Sequence, residues 1–342
     1  MGRKHIENKI LHFFTCLLIM LYIVSFLKSK KNNEHTFMDV KYTNCIKGFS
    51  ILTVIWAHTG AKLDVEAIQF IAGIGVSLFI ICSGHGLELS YQKNGLKGFW
   101  KKRFFRVVMP YWIVELVGMI IYNEFSIRNF FKRMLLIDGR WFIQYIMICY
   151  LLFFIEKKIS EKFGFSIIQQ WTIIFIMFCT WFFVDSIFMA QEGMPFLRAR
   201  QMLAFPFGIY LAQKRGLVEE YAAKHKLGIL FGGIILATLF MYITQLPCIK
   251  SLPFLIQNFF SLPTVFVYAL VVLLFTDIFR LLLENAFLKY MGIISYEVFL
   301  IHPYTVRILD VGTYAKVVLM FVLTVVLAGI MNKISREIEQ RR

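Results

Sequence analysis

Long apolar runs separated by short, mostly basic segments pattern this chain. The runs cover 10–27, 45–60, 68–87, 107–122, 141–155, 165–184, 201–212, 227–246, 254–275, 292–309 and 314–331. Crossing a hydrocarbon core of about 30 Å takes about 20 mostly apolar helical residues. The pattern therefore predicts an all-α, polytopic integral membrane protein with about eleven transmembrane helices. Three runs are short for the task, 45–60, 141–155 and 201–212, and reach full length only by extending into polar flanks. The first run follows Arg3, Lys4 and Lys9 as a signal peptide would. It leads into Lys28, Lys30 and Lys31 rather than a small-residue cleavage site, so a retained helix is expected. No internal repeat and no soluble domain is evident; a single membrane domain over 1–342 is expected.

Composition supports this reading. Of 342 residues, 58% are hydrophobic and 17% charged, against about 45–50% and about 25% in soluble domains. The six cysteines are scattered with no CxxC pair, which suits buried, reduced side chains better than disulfides or a metal site. No HExxH and no Gly-rich nucleotide loop is present, so no metal is expected.

The net charge of +16 sits in short loops, which suits headgroups and membrane orientation rather than nucleic acid. With eleven spans and the N-terminus outside, the inner segments hold 24 Lys and Arg and the outer ones 11. The expected orientation is N-terminus outside and C-terminus in the cytoplasm of a multi-pass, bacterial plasma-membrane protein.

The run KGFSILTVIWAHTG opens on Lys47 and closes on His58, eleven residues later. On a helix that is about 1,100°, some 20° past three turns, with a rise of roughly 16 Å. Both side chains thus share one face. Lys47 snorkelling and His58 bonded across a helix contact is the bland reading. Against it, ionisable groups inside a bilayer usually face a pathway or a site.

Five segments, in order, resemble the membrane-bound acyltransferase 3 family. The Lys47-to-His58 run is similar to its basic-x10-His signature. Val76 to Gly84 resembles its apolar run ending in Ser-Gly, at Ser83-Gly84. Arg103-Phe-Phe-Arg106 with Pro110 and Trp112 resembles its Arg-x-x-Arg segment. Trp141 and Tyr150 match its Trp-to-Tyr helix, and Ser295-Tyr296 to His302 its late Ser-Tyr-x-x-x-Leu-x-His segment. The chain departs from the family at Lys47 (usually Arg), Asn44 (often Asp), Ile146 (Glu in longer relatives) and His85 (more usually aromatic). The resemblance implies a ten-helix core at 45–331 plus the extra helix at 10–27. It also suggests the short branch, without an esterase-like domain.

The resemblance implies an O-acyltransferase, with an acetyl group moving from cytoplasmic acetyl-CoA to a hydroxyl of a cell-envelope polysaccharide or its lipid-linked precursor. Acetyl-CoA is then a substrate, and no permanent cofactor is expected. The acceptor glycan, the bilayer and polysaccharide-synthesis machinery are the implied partners, with no nucleic acid. Such a transfer needs a base for the hydroxyl proton and a donor for the developing oxyanion. His58 is the expected general base, with Lys47 beside it in the site. Direct transfer and an acyl-enzyme relay through His58 or Ser83 both remain open. Arg103, Arg106 and Lys102 are expected to meet the coenzyme A phosphates; enforcing orientation and touching lipid headgroups is the alternative for the whole cluster, Lys101 included. Ser83, Trp141, Tyr150, Tyr296 and His302 are candidates for the substrate pocket. Close packing at Ser-Gly and interfacial belts for the aromatics compete with that role, as does a structural hydrogen bond at His302. His85 is expected at an interface. A polytopic transporter or flippase is the competing function.

Overall fold

The computed structural model describes residues 36–63, 70–137, 140–189 and 197–340. The expected helix at 10–27 lies outside them. The described residues are helical with no strand. Among them, six helices are long and apolar enough to cross a membrane: Phe70–Asn94, Phe99–Ile121, Ile167–Phe188, Arg215–Gln245, Phe254–Ile278 and Tyr314–Gln340.

The eleven expected spans are not matched one for one. The first helix, α1, runs Val40–Lys62, 23 residues, well beyond its apolar run. At about 1.5 Å per residue it is about 35 Å long, so its length suffices to cross. Asp39 starts it by accepting a hydrogen bond from the Tyr42 N–H at 2.8 Å, the usual service of an N-cap carboxylate. Likewise the run at 141–155 belongs to a helix of 23 residues, Trp141–Phe163. The run at 201–212 instead yields a ten-residue helix, Ala204–Gln213, about 15 Å long. The run at 292–309 is broken at Ile294 into Ala286–Ile293 and Ser295–Ile308.

The described residues divide into two compact units. The first comprises those up to Val76 together with Val272–Gly329. Its axis is α1, against which Ala286–Ile293 packs backbone to backbone. A Cβ on Gly48 would sit 2.0 Å from the Leu288 carbonyl oxygen, and one on Gly292 1.7 Å from that of Asn44. Only glycine permits this crossing. Buried Tyr42 donates to the Leu273 carbonyl at 2.9 Å. Over its ring lies Arg280, 4.8 Å from the centroid, which also binds Asp39, Glu284 and, at 3.1 Å, the Thr36 carbonyl. Lys41 pairs with Glu284 as well. Burial pushes the Asp39 carboxyl up, but the Tyr42 N–H and the Arg280 guanidinium outweigh it and hold it below the usual range.

The second unit comprises Ser77–Val271 and Ile330–Arg342. Here α2, Phe70–Asn94, crosses Ala204–Gln213 at glycines of both helices. Cβ atoms on Gly84 and Gly208 would lie 2.4 and 2.2 Å from the carbonyl oxygens of Phe205 and Ile81. That crossing buries His85 to 3% exposure, correcting its expected interfacial place. The helix Trp141–Phe163 brings a buried charged cluster against α2: Lys157 Nζ lies 3.2 Å from Glu88 and 3.3 Å from Glu156, all three at most 3% exposed. Gln213 donates to Glu88 at 2.9 Å and Ser160 to Glu156 at 2.9 Å. A second network holds Glu115 between Arg133 and Arg140 at 3.3 and 3.0 Å, with Arg133 also on Glu124 at 2.7 Å.

Candidate functional site

In the first unit α1 is unbroken from Lys47 to His58, so the two residues share one face about 16 Å apart. Lys47 is half-buried and His58 exposed. The His58 ring faces that of His302, with centroids 5.0 Å apart and planes tilted by 55°. The late histidine of the sequence pattern thus meets the early one, on helices whose hydroxyl side chains are bonded locally: Thr59 to the Ile55 carbonyl, Thr305 to that of His302.

His302 is 1% exposed, and its Nδ1 lies 3.1 Å from the Val298 carbonyl oxygen. A carbonyl only accepts, so Nδ1 carries the hydrogen and Nε2 is the basic nitrogen of the neutral ring. Pro303 follows within the same helix and has no N–H to give to the carbonyl one turn below. Tyr296, half-buried, precedes His302 by six residues, about 240° around the helix, and so lies off the histidine's face.

In the second unit Ser83 and Tyr150 share a hydrogen bond of 2.9 Å. The Arg103 guanidinium stands 5.2 Å from the Tyr150 ring centroid and 5.6 Å from that of Phe99, a cation held over two aromatic faces. Arg103 directly precedes a π-helical turn at Phe104–Val108, a distortion that recurs at functional sites. The Ser-Gly pair divides its labour: Gly84 makes the close helix contact, and Ser83 makes the polar one.

Other expected site residues stand elsewhere. Arg106 is exposed and donates through Nε to Glu339 at 2.9 and 3.2 Å. It is thus engaged by the C-terminal helix rather than by the aromatic pair that holds Arg103. Lys102 is half-buried beside Arg103. Trp141 and Tyr150 are nine residues apart on one helix, half a turn out of phase and about 14 Å apart along it. Trp141 is half-buried, edge-on to Phe142 at 6.0 Å, and follows Arg140, which Glu115 holds.

Sequence reasoning overlooked the buried Glu88–Lys157–Glu156 cluster and the Arg280 staple. Glu156 and Lys157 follow the apolar run at 141–155, so they read as a solvated loop. Only their spacing one turn from Ser160, in continued helical register, could have flagged them. Among the described residues no group of three or more His, Cys, Asp or Glu could hold a metal ion.

A family model described as an acyltransferase domain matches residues 40–333. Comparisons with curated proteins and with solved structures give no match.

Proposed function

Because the chain belongs to the acyltransferase 3 family, we propose that this membrane acyltransferase is an O-acetyltransferase. It takes its acetyl group from cytoplasmic acetyl-CoA and gives it to a hydroxyl of a cell-envelope polysaccharide or its lipid-linked precursor. The observation that carries the reading is the His58–His302 ring pair on a helix whose other singular residue, Lys47, lies on the His58 face.

In this reading the acceptor hydroxyl gives its proton to neutral His58 as its oxygen attacks the thioester carbonyl. The tetrahedral intermediate then expels the coenzyme A thiolate, and the proton leaves with the thiol. His302, with Nδ1 committed to the Val298 carbonyl, stands beside the imidazolium that forms and supports it as a positioning residue. The Lys47 ammonium supplies positive charge at the other end of the same face. Arg103, fixed over Tyr150 and Phe99, is the cation best prepared for a phosphate of the donor. Ser83 and Tyr150, joined by a hydrogen bond within the second unit, are proposed as substrate-pocket residues. Arg106 and Lys102 have the weaker case, Arg106 because Glu339 already neutralises it. A bacterial plasma-membrane setting with the N-terminus outside and the C-terminus inside is part of this proposal; the excess of Lys and Arg in the loops assigned to the inner side supports the orientation.

The test is His58→Ala. The variant should reach the membrane at normal level and lose acetylation of the surface glycan by about 10²–10⁴-fold, the usual contribution of a general base. Unchanged glycan acetylation, measured by mass spectrometry, would sink the assignment. Purified protein in vesicles that moves an envelope precursor without acyl-CoA would favour the transporter instead.

A further inference from the structure

Within the second unit, a three-residue helical turn, Ala199–Gln201, precedes the helix Ala204–Gln213. Neighbouring helices hold it from two sides. Arg198 places Nε 2.7 Å from Asp185 and donates to the Gln144 side-chain oxygen at 3.1 Å, and the Ala199 N–H also bonds the Asp185 carboxylate. Ser77 of α2 donates to Gln201 at 2.5 Å, and Ala199 and Gln201 are fully buried.

Arg200, between them, is engaged differently. It is half-buried, and its Nε is closed off from solvent and bonded to nothing. Arg133, Arg140, Arg198 and Arg280 each meet a carboxylate, whereas Arg200 has no such partner among the described residues. Arg198 and Asp185 cancel, so Arg200 leaves the turn with one positive charge in excess. In a guanidinium, Nε and a terminal nitrogen form the two-pronged edge that fits a carboxylate or a phosphate. A snorkelling arginine would hold that edge out to water and headgroups; here its Nε is enclosed.

Two further enclosed atoms around Asp185 are unmet, against the general rule that buried polar atoms find partners. One is the indole Nε1 of Trp181, whose carbonyl accepts from the Asp185 N–H. The other is Oδ1 of Asn258, whose Nδ2 donates at 2.9 Å to Ser186, the residue after Asp185. An indole only donates and an amide oxygen only accepts. An anion that also carries hydroxyl groups would answer all three.

The turn has a definite height in the unit. α2 and the helix Trp141–Phe163 run parallel, since Ser83 meets Tyr150 and, further along both, Glu88 meets Lys157. Ser77 and Gln144, which hold the turn, each come six residues before the Ser83–Tyr150 pair. The turn therefore stands about 9 Å along the helices from that pair, on the side away from Lys157. The helix that follows reaches the pair itself: the Phe205 ring lies 6.2 Å from that of Tyr150. In the proposed orientation this is the outer side, where a surface glycan or its precursor arrives.

We propose that Arg200 is an anion-binding residue for the acceptor. It takes a carboxylate or a phosphate of an acidic glycan, and the open Trp181 and Asn258 atoms serve the hydroxyls of the same sugar. Held there, the acceptor extends toward the Ser83–Tyr150 pair. That last step rests on the reading of the pair as pocket residues; anion binding at Arg200 stands without it.

The experiment uses the full chain in detergent, with glucuronate, glucose 1-phosphate and neutral glucose as probes at matched ionic strength. Either or both of the acidic sugars should raise the thermal midpoint by a few degrees, and glucose should not. Glucuronate alone would name a carboxylate, glucose 1-phosphate alone a phosphate. Arg200→Gln should abolish the shift, and Arg200→Lys, which keeps the charge and loses the fork, should retain only part of it. Without sugar, Arg200→Met should melt no lower than the parent, because no folded partner is lost; a large drop would mean a structural arginine and overturn the proposal. An equal shift in Arg200→Gln, or one lost in Arg103→Gln instead, would overturn it too. So would stabilisation by phosphatidylglycerol alone, which would make Arg200 a lipid contact. His58→Ala should keep the full shift, so a protein that binds the acidic sugars through Arg200 and transfers no acyl group would refute the proposed function and leave this site standing.

Discussion

Lys157 offers the sharpest test of the energetics. Its ammonium is 1% exposed and lies 3.2 and 3.3 Å from carboxylate oxygens of Glu88 and Glu156, which are 3% and 0% exposed. It also stands 4.9 and 5.4 Å from the ring centroids of Tyr91 and Phe153. At an effective dielectric of about 20, each ion contact is worth about 5 kcal/mol before desolvation is charged against it. Most of that gain only offsets the cost of burying three charges. Removing the cation is different, because it strands two buried carboxylates beside each other. Lys157→Met, which keeps the stem, should therefore cost about 3–5 kcal/mol. That corresponds to a fall in thermal midpoint on the order of 5–10 °C for a chain of this size, read as loss of the monodisperse peak after heating in detergent. The discriminating variant is Glu156→Gln. It leaves a neutral Lys157–Glu88 pair and should cost clearly less than Lys157→Met. Lys157→Met combined with Glu88→Gln and Glu156→Gln should recover much of the loss. If Lys157→Met is as stable as the parent, or if Glu156→Gln is the worse of the two, the electrostatic argument is wrong.

Three further outcomes are expected. Gly292→Ala places a methyl 1.7 Å from the Asn44 carbonyl oxygen and should sharply reduce folded protein, whereas Gly228→Ala, with nothing within 4 Å, should be silent in the same expression and size-exclusion assay. Ser83→Ala removes one hydrogen bond to Tyr150, worth about 0.5–1.5 kcal/mol of stability; if Ser83 is a pocket residue as proposed, acyl transfer should fall well beyond what the remaining folded protein accounts for. Asp39 has its folded pKa lowered from 3.8, so its contribution is full above that value and is lost as pH falls through the lower, folded one. The gap in thermal midpoint between the parent and Asp39→Asn should accordingly hold at about pH 7 and close only below about pH 4, and a gap that widens on acidification would reverse the sign of the argument.

Membrane character and the pairing partners of the site were legible to different degrees, for a physical reason. Apolar runs report where side chains prefer lipid, while helices are bounded by backbone hydrogen bonds and caps. Hence 45–60 underestimates a helix that Asp39 starts and Lys62 ends, both polar. The run at 292–309 errs the other way. Its apolar residues continue across Ile294, but Gly292 is pressed against Asn44 and Ser295 bonds back to the Gly292 carbonyl, so the backbone breaks there. For the site, the one-face relation of Lys47 and His58 followed from spacing alone. The approach of His302 did not, because it is set by how Ser295–Ile308 packs on α1, and no local pattern encodes a contact 244 residues away.

Charge shows the same limit with a further consequence. A loop count treats every Lys and Arg as a headgroup ligand, yet Lys157 is enclosed by two carboxylates, and Arg133 and Arg140 share Glu115. These cations hold helices together and report little about orientation. Lys101 and Arg128 are exposed, so they are among the cations able to meet lipid or a phosphate-bearing ligand. Arg103 belongs to a third group, half-buried but held by aromatic faces rather than by a carboxylate partner in the described contacts. A cation fixed in place without being neutralised keeps its charge for an incoming anion. That distinction separates Arg103 from Arg106, three residues on, whose charge Glu339 has already met. Charge reversal at the two arginines should therefore differ in kind: Arg103→Glu should raise the KM for the proposed donor, acetyl-CoA, while Arg106→Glu should do so far less and should be eased by Glu339→Arg. Equal effects at both positions would dissolve the distinction and return the pair to the role of orientation signals.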